Sequence, residues 1–205
     1  MMQKVMAISV GKISPLFESG SAQQGRVLTA IRKSAVSTLD EPHGVAVGLN
    51  GLEGDEQADR EVHGGQDKAV YAYPSEHYDF WQDLLKRETH QTEVLKWGAF
   101  GENLTVQGLI ENEVWVGDIW MIGEVELRVV KLREPCFKFN AKMNYKGASQ
   151  AMIQSATSGW YLRTIKPGIV SAGDVIKVYP GPRKLSIREQ NQALLEKKSA
   201  AASLF

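Results

Sequence analysis

Short apolar stretches that alternate with polar residues and stop at glycines recur through most of this chain, and that period of two confines it to a β-rich fold. The pattern is plainest in Val125-Glu126-Leu127-Arg128-Val129-Val130, where Val125, Leu127 and Val129 share one strand face. Further strands are predicted over residues 5–10, 45–47, 68–73, 114–116, 119–122, 161–165 and 175–179. Many short strands in one domain favour a barrel or a sandwich. The 205 residues hold one full domain and a short appendage.

Helices are expected at the periphery. Over 75–87, Ser75 is a plausible N-cap, and Tyr78, Trp81 and Leu85 fall at helical spacing, a stripe read most simply as core. A shorter helix is expected over 146–155, ended near Gly159. After Pro180-Gly181-Pro182 the composition changes, and Ser186 with Glu189 forms a capping-box pattern that opens a helix running to about Lys197. The chain therefore divides into a β-barrel domain, 1–180, and a C-terminal helical tail, 181–205.

Composition narrows the function. Lys plus Arg total 24 and Asp plus Glu total 24, so the basic excess of a duplex binder is missing and no nucleic-acid partner is expected. A local cationic pocket for a small phosphate remains allowed. Cys136 is the single cysteine, which excludes an intrachain disulfide, a multi-cysteine zinc site and an iron–sulfur cluster built by one chain. Residues 5–10 are apolar but run at once into Gly11-Lys12, unlike a signal peptide, and no run nears the roughly 20 apolar residues of a membrane span. With a mean hydropathy of −0.26, the expectation is a soluble, cytoplasmic protein without a membrane partner.

Three clusters carry chemistry. The first runs from Gly48 through Gly51, Gly54, Asp55 and Asp59 to His63-Gly64-Gly65-Gln66-Asp67-Lys68. Glycines let backbone N–H groups approach a ligand, and His63 and Lys68 supply donors or charge, which suits a phosphate-bearing ligand; the glycines taken alone read first as a glycine-rich hairpin with solvated acids. A divalent metal on His63, His77 and Asp55 or Asp59 is disfavoured by their irregular spacing. The second cluster is Phe100-Gly101-Glu102-Asn103, a turn into a strand in which Asn103 can read a heterocycle edge and Glu102 can receive a ring N–H, or both can merely satisfy the turn. The third is Arg133-Glu134-Pro135-Cys136, directly after the strongest strand. A cysteine beside a guanidinium is a soft metal ligand or sulfur nucleophile, against the reading of a small buried apolar residue.

Together the segments Gly51-Leu52-Glu53-Gly54-Asp55, His63-Gly64-Gly65, Asp67-Lys68-Ala69-Val70, Tyr73-Pro74-Ser75-Glu76-His77-Tyr78, Phe100-Gly101-Glu102-Asn103 and Arg133-Glu134-Pro135-Cys136 resemble the MOSC family, named for the C-terminal domain of molybdenum cofactor sulfurase, in its small stand-alone bacterial form. The resemblance implies a mainly β fold, a strongly curved or closed barrel with short peripheral helices and a C-terminal helix. It implies the molybdenum cofactor, a molybdopterin, rather than pyridoxal phosphate, with Cys136 ligating molybdenum or carrying sulfur and Arg133 as the basic residue before it. His63, Gly64, Gly65, Lys68, Asn103 and Asp55 are then expected around the phosphate or pterin. Relatives of this type resemble reductases of N-hydroxylated compounds, including hydroxylaminopurine-type base analogues. No flavin or nicotinamide fingerprint occurs in the chain, so a separate flavin-type electron donor protein is implied. A sulfur-transfer protein with a persulfide on Cys136, or a non-catalytic cofactor carrier, stands as the alternative. Such relatives often carry a longer helical extension than residues 185–205 provide, which bears on the electron donor and not on the barrel.

Overall fold

The computed structural model describes residues 2–17, 27–58 and 64–202. Its strands are β1 (Lys4–Val10), β2 (Ser14–Pro15), β3 (Leu28–Thr29), β4 (Ser34–Thr38), β5 (Val45–Gly48), β6 (Gly51–Leu52), β7 (Val70–Pro74), β8 (Leu104–Gln107), β9 (Ile119–Ile122), β10 (Val125–Leu132), β11 (Trp160–Lys166), β12 (Gly168–Val170) and β13 (Ile176–Tyr179). The helices are α1 (Tyr78–Thr89), α2 (Phe137–Lys142), α3 (Ala148–Ser155) and α4 (Ile187–Ala202), with short 3-10 turns at Gln66–Lys68 and Ser75–His77.

Eight strands form one sheet in the order β13-β9-β10-β11-β7-β8-β1-β4, antiparallel except for the β7–β8 pair. Bulges in β1 and β10 sharpen its twist. The β13 edge is drawn back onto β1: Val5 N–H donates to the Asp174 carbonyl (2.9 Å), Gly173 N–H to that of Val5 (2.8 Å) and Ile176 N–H to that of Gln3 (2.9 Å). The mainly β, strongly curved architecture expected from the alternation is thus present. Pro167 cannot donate to a ladder, and beyond it β12 leaves the main sheet to pair with β5 and β6.

Alternation sets two cores. Val5, Ile8, Val106, Trp120, Leu127 and Trp160 fill the concave interior. On the outer face, Tyr73, Trp81, Phe100, Phe139 and Met152 join α1, α2 and α3 to the sheet, with Tyr73 and Phe100 stacked at 4.2 Å. Strand β7 is buried on both faces, so Val70 and Ala72 serve the first core while Tyr71 and Tyr73 serve the second.

Local details differ from expectation for identifiable reasons. Residues 114–116 form turns with a single bridge, Trp115 to Ser186, because Val116 N–H is taken by the Leu185 carbonyl and Gly117 turns the chain at φ 91°. Lys68 belongs to a 3-10 turn rather than to β7. Ser75 does not cap α1: a 3-10 turn intervenes, and its hydroxyl donates to Glu76 (3.2 Å). The capping box of α4 forms as read, with Glu189 N–H donating to Ser186 Oγ (3.1 Å) and Ser186 N–H to Glu189 Oε2 (2.7 Å), and the helix runs five residues past Lys197. Its first two turns dock on the barrel: Leu132 N–H donates to Gln190 Oε1 (2.6 Å) and Asn191 Nδ2 to the Ile153 carbonyl (2.7 Å).

Candidate functional site

At the end of β10 the chain turns through Arg133–Glu134–Pro135 and delivers Cys136 to the N-terminus of α2, where the Cys136 carbonyl accepts from Phe139 N–H (2.9 Å) and Ser149 Oγ (2.9 Å). Those bonds fix the backbone, and Cys136 lines a cleft of about 750 Å³, counting its open mouth. The other walls are the strap before β4 (Ile31, Lys33), the loop after β6 (Asp55, Glu56, Gln57), Lys68, the turn before β8 (Gly101, Asn103), and Tyr71 with its cross-strand partner Tyr161.

Arg133 is buried, 5% exposed, over the rings of Phe139 (4.8 Å to the centroid) and Tyr71 (5.5 Å), with Nη1 3.2 Å from Met152 Sδ. Among the described residues no carboxylate pairs with it. A desolvated guanidinium attracts an anion. Its backbone is fixed by Gly159, whose carbonyl accepts from Arg133 N–H (3.2 Å) and whose N–H donates to Glu111 (2.9 Å). A Cβ at Gly159 would lie 2.4 Å from the Ala72 carbonyl at φ 64°, so glycine is required. Tyr161 also lines the cleft; its hydroxyl pKa is raised chiefly by burial, against the nearby Arg133 charge, which keeps the phenol protonated. Burial does the same for Tyr71, whose hydroxyl donates to the Ser158 carbonyl (2.8 Å).

Opposite Cys136 lies a polar knot. Asp55 accepts from Lys33 Nζ (2.6 and 2.5 Å), Gly11 N–H (2.8 Å) and Asn103 Nδ2 (2.9 Å). Desolvation lowers the Lys33 pKa despite this pairing. Asn103 also accepts from Tyr71 N–H (3.1 Å) and donates to the Ser9 carbonyl (3.3 Å). Asp55 and Asn103 therefore line the cleft while their polar atoms tie β1, β7 and the strap together. Glu102 is fully buried and accepts from Gly98 N–H (2.8 Å), Phe100 N–H (3.0 Å), Thr105 Oγ1 (3.0 Å) and the Tyr78 hydroxyl, so the role of receiving a ring N–H is corrected to that of a turn anchor. Beneath it, Lys142 donates to the carbonyls of Ile31 (2.8 Å) and Gly98 (2.9 Å), and desolvation lowers its pKa to about 8.

Of the expected site residues, Cys136, Arg133, Lys68, Asp55 and Asn103 meet at this one cleft. Gly64 and Gly65 are not among the described residues that line it, and Gly65 N–H donates to Gln57 Oε1 (3.0 Å) at the start of the turn that carries Lys68. His63 lies outside the described residues. His77 faces Glu111 (2.7 Å) rather than Asp55, and no group of three His, Cys, Asp or Glu able to hold a metal occurs among the described residues. Sequence reading missed Lys33, Tyr71 and Tyr161. The alternation of Val70-Tyr71-Ala72-Tyr73 could have flagged Tyr71 as facing opposite to the barrel interior, whereas nothing around Lys33 announces its buried partner.

The matching family model is that of the MOSC domain, over residues 59–177, and the chain belongs to this family. It is 35% identical over 189 residues to the protein YflK of Bacillus subtilis, covering 92% of this chain and 79% of that one. It is 39% identical over 139 residues to protein YiiM of Escherichia coli, covering 68% and 61% of the two chains. A Gibberella moniliformis protein named reductase is 35% identical over 64% of this chain, which spans only 23% of that protein. The crystal structure of YiiM from Geobacillus stearothermophilus superposes with a TM-score of 0.73 at 30% identity, covering 98% of this chain and 87% of that one. No helix among the described residues is long and apolar enough to cross a membrane.

Proposed function

We propose that this protein holds a pterin-based molybdenum cofactor at Cys136 and reduces N-hydroxylated compounds such as hydroxylaminopurine-type bases, with electrons from a separate flavin-type reductase. The observation that carries the reading is that Cys136 and the buried Arg133, which no carboxylate among the described residues pairs, line one cleft. The donor set fits this group. One sulfur cannot hold a bare ion, but it completes the coordination of a metal that arrives with ligands of its own, and the cationic wall suits a phosphorylated pterin.

When bound, the cofactor supplies the two-electron couple that removal of an N–O oxygen requires. The chain does the rest: Arg133 and Lys68 hold negative charge, the Lys33–Asp55–Asn103 knot keeps the strap over the cleft, and the Tyr161 hydroxyl, kept protonated by burial, is available as a donor at its wall. Reduction of R–NHOH to R–NH2 consumes two electrons and two protons and releases water. Because no group of three His, Cys, Asp or Glu able to hold a metal occurs among the described residues, a persulfide carried on Cys136 for transfer is the second reading.

The test is reduction of a hydroxylaminopurine with an artificial electron donor, using the full chain purified from cells competent in molybdenum cofactor synthesis. Turnover by the wild type, abolished in Cys136→Ala with the fold intact, supports the reading. Persulfide trapped on Cys136 in a protein devoid of molybdenum, with no turnover, replaces it with sulfur transfer.

A further inference from the structure

Beside the cleft, strands β10 and β11 place Arg128 and Arg163 directly opposite each other in register. Like charges so placed destabilise a sheet unless something compensates them. Among the described residues one carboxylate does so: Asp67 Oδ1 lies 2.5 Å from Arg163 Nη2. Arg163 Nε is buried with no hydrogen-bond partner. Both arginines and Asp67 wall a second cavity floored by Val116, Gly117 and Val129. Surplus positive charge, an orphaned N–H donor and an open recess to receive it are what an oxyanion needs.

The two cavities are lined by neighbouring residues of the same two elements. Asp67 lines one and Lys68 the other from a single 3-10 turn, and Tyr161 and Arg163 lie two positions apart on the same side of β11, about 7 Å along the strand. A ligand with a ring in the cleft and an anion on the arginines spans that distance, as a nucleoside monophosphate does. Arg133 and Lys68 already supply charge for the cofactor, so the outer pair is left for the substrate.

We propose that Arg128 and Arg163 form the phosphate site for a substrate in nucleotide form. The inference rests on the proposed function for the nature of the base, and names the monophosphate as the preferred substrate. Adenosine 5′-monophosphate, adenosine and inorganic phosphate serve as probes in calorimetric titrations of the full chain purified from cofactor-competent cells. The monophosphate is expected to bind tenfold or more tightly than adenosine or phosphate, as charge-assisted hydrogen bonds allow. Arg128→Gln/Arg163→Gln should lower it to the level of adenosine, and Arg128→Gln, at an exposed position, should weaken it without risk to the fold.

Equal binding of the monophosphate and adenosine, or a preference that survives the double variant, overturns the proposal. Inorganic phosphate binding as tightly as the monophosphate reassigns the site to free phosphate, and loss of pterin from the double variant reassigns it to the cofactor's own phosphate. Cys136→Ala should keep the preference for the monophosphate even though it loses molybdenum. Failure of the phosphate site is therefore read separately from failure of the cofactor reading.

Discussion

The Lys33–Asp55 pair is close to fully withdrawn from water, with side chains 8% and 7% exposed, and three donors converge on the carboxylate. Removing one partner of such a pair strands the other charge. Asp55→Asn is expected to cost about 3 kcal/mol of folding stability, measured by urea unfolding, and to loosen the strap over the cleft. Lys142 gives a pH signature. Its pKa is lowered by desolvation to about 8 in the folded protein, whereas the unfolded chain keeps the proton to its ordinary 10.5. Between those values the unfolded state binds more protons, so this residue's contribution raises stability with pH. The stability of wild type relative to Lys142→Met should grow from pH 8 to pH 10, and a flat difference would contradict the assignment. At this scale the sequence spoke unevenly. Cys136 and Arg133 were legible because they follow the clearest strand at once. Asp55, Asn103 and Glu102 have residue types that suggest ligand chemistry, but their hydrogen bonds run to Gly11, Ser9, Tyr71 and Tyr78, up to 94 positions away, which one chain read linearly does not reveal.

Among the elements, α2 carries the site and was not foreseen. It has six residues, Phe139 is its one buried side chain, and so it leaves no apolar periodicity to read. Phe139 nevertheless lies under Arg133 and against Trp81, with ring centroids 5.6 Å apart. Phe139→Ala is expected to destabilise the fold by about 3–5 kcal/mol and to reduce retention of an anionic ligand, checked by unfolding and by pterin content. By contrast α4 was legible because capping is local: Ser186 and Glu189 are three residues apart and satisfy each other. Ser186→Ala should cost about 1 kcal/mol in thermal or urea unfolding, with no change at the cleft. Strand β4 was missed because three of its five residues are exposed and no alternation marks it; its pairing with β1 is what places the Lys33 strap at the cleft mouth.

For the molecule as a whole, the curved sheet explains how motifs spread from Asp55 to Tyr161 reach one place. β7, β10 and β11 run side by side, so the turn before β7, the exit of β10 and the outer face of β11 border a single opening, which the loops flanking β4 and β6 close. Alternation carried the mainly β class because the interior face must stay apolar, whereas the return of β13 onto β1 depends on backbone bonds near Val5 and Asp174 that carry no side-chain signature. Membership of the MOSC family agrees with this geometry, and the account stands or falls on what the cleft holds. The most direct measurement is molybdenum and pterin analysis of wild type and Cys136→Ser, both purified from cells with verified cofactor supply. The account predicts near-stoichiometric molybdenum and pterin in the wild type, with molybdenum lost in the variant; a wild type carrying neither would contradict it.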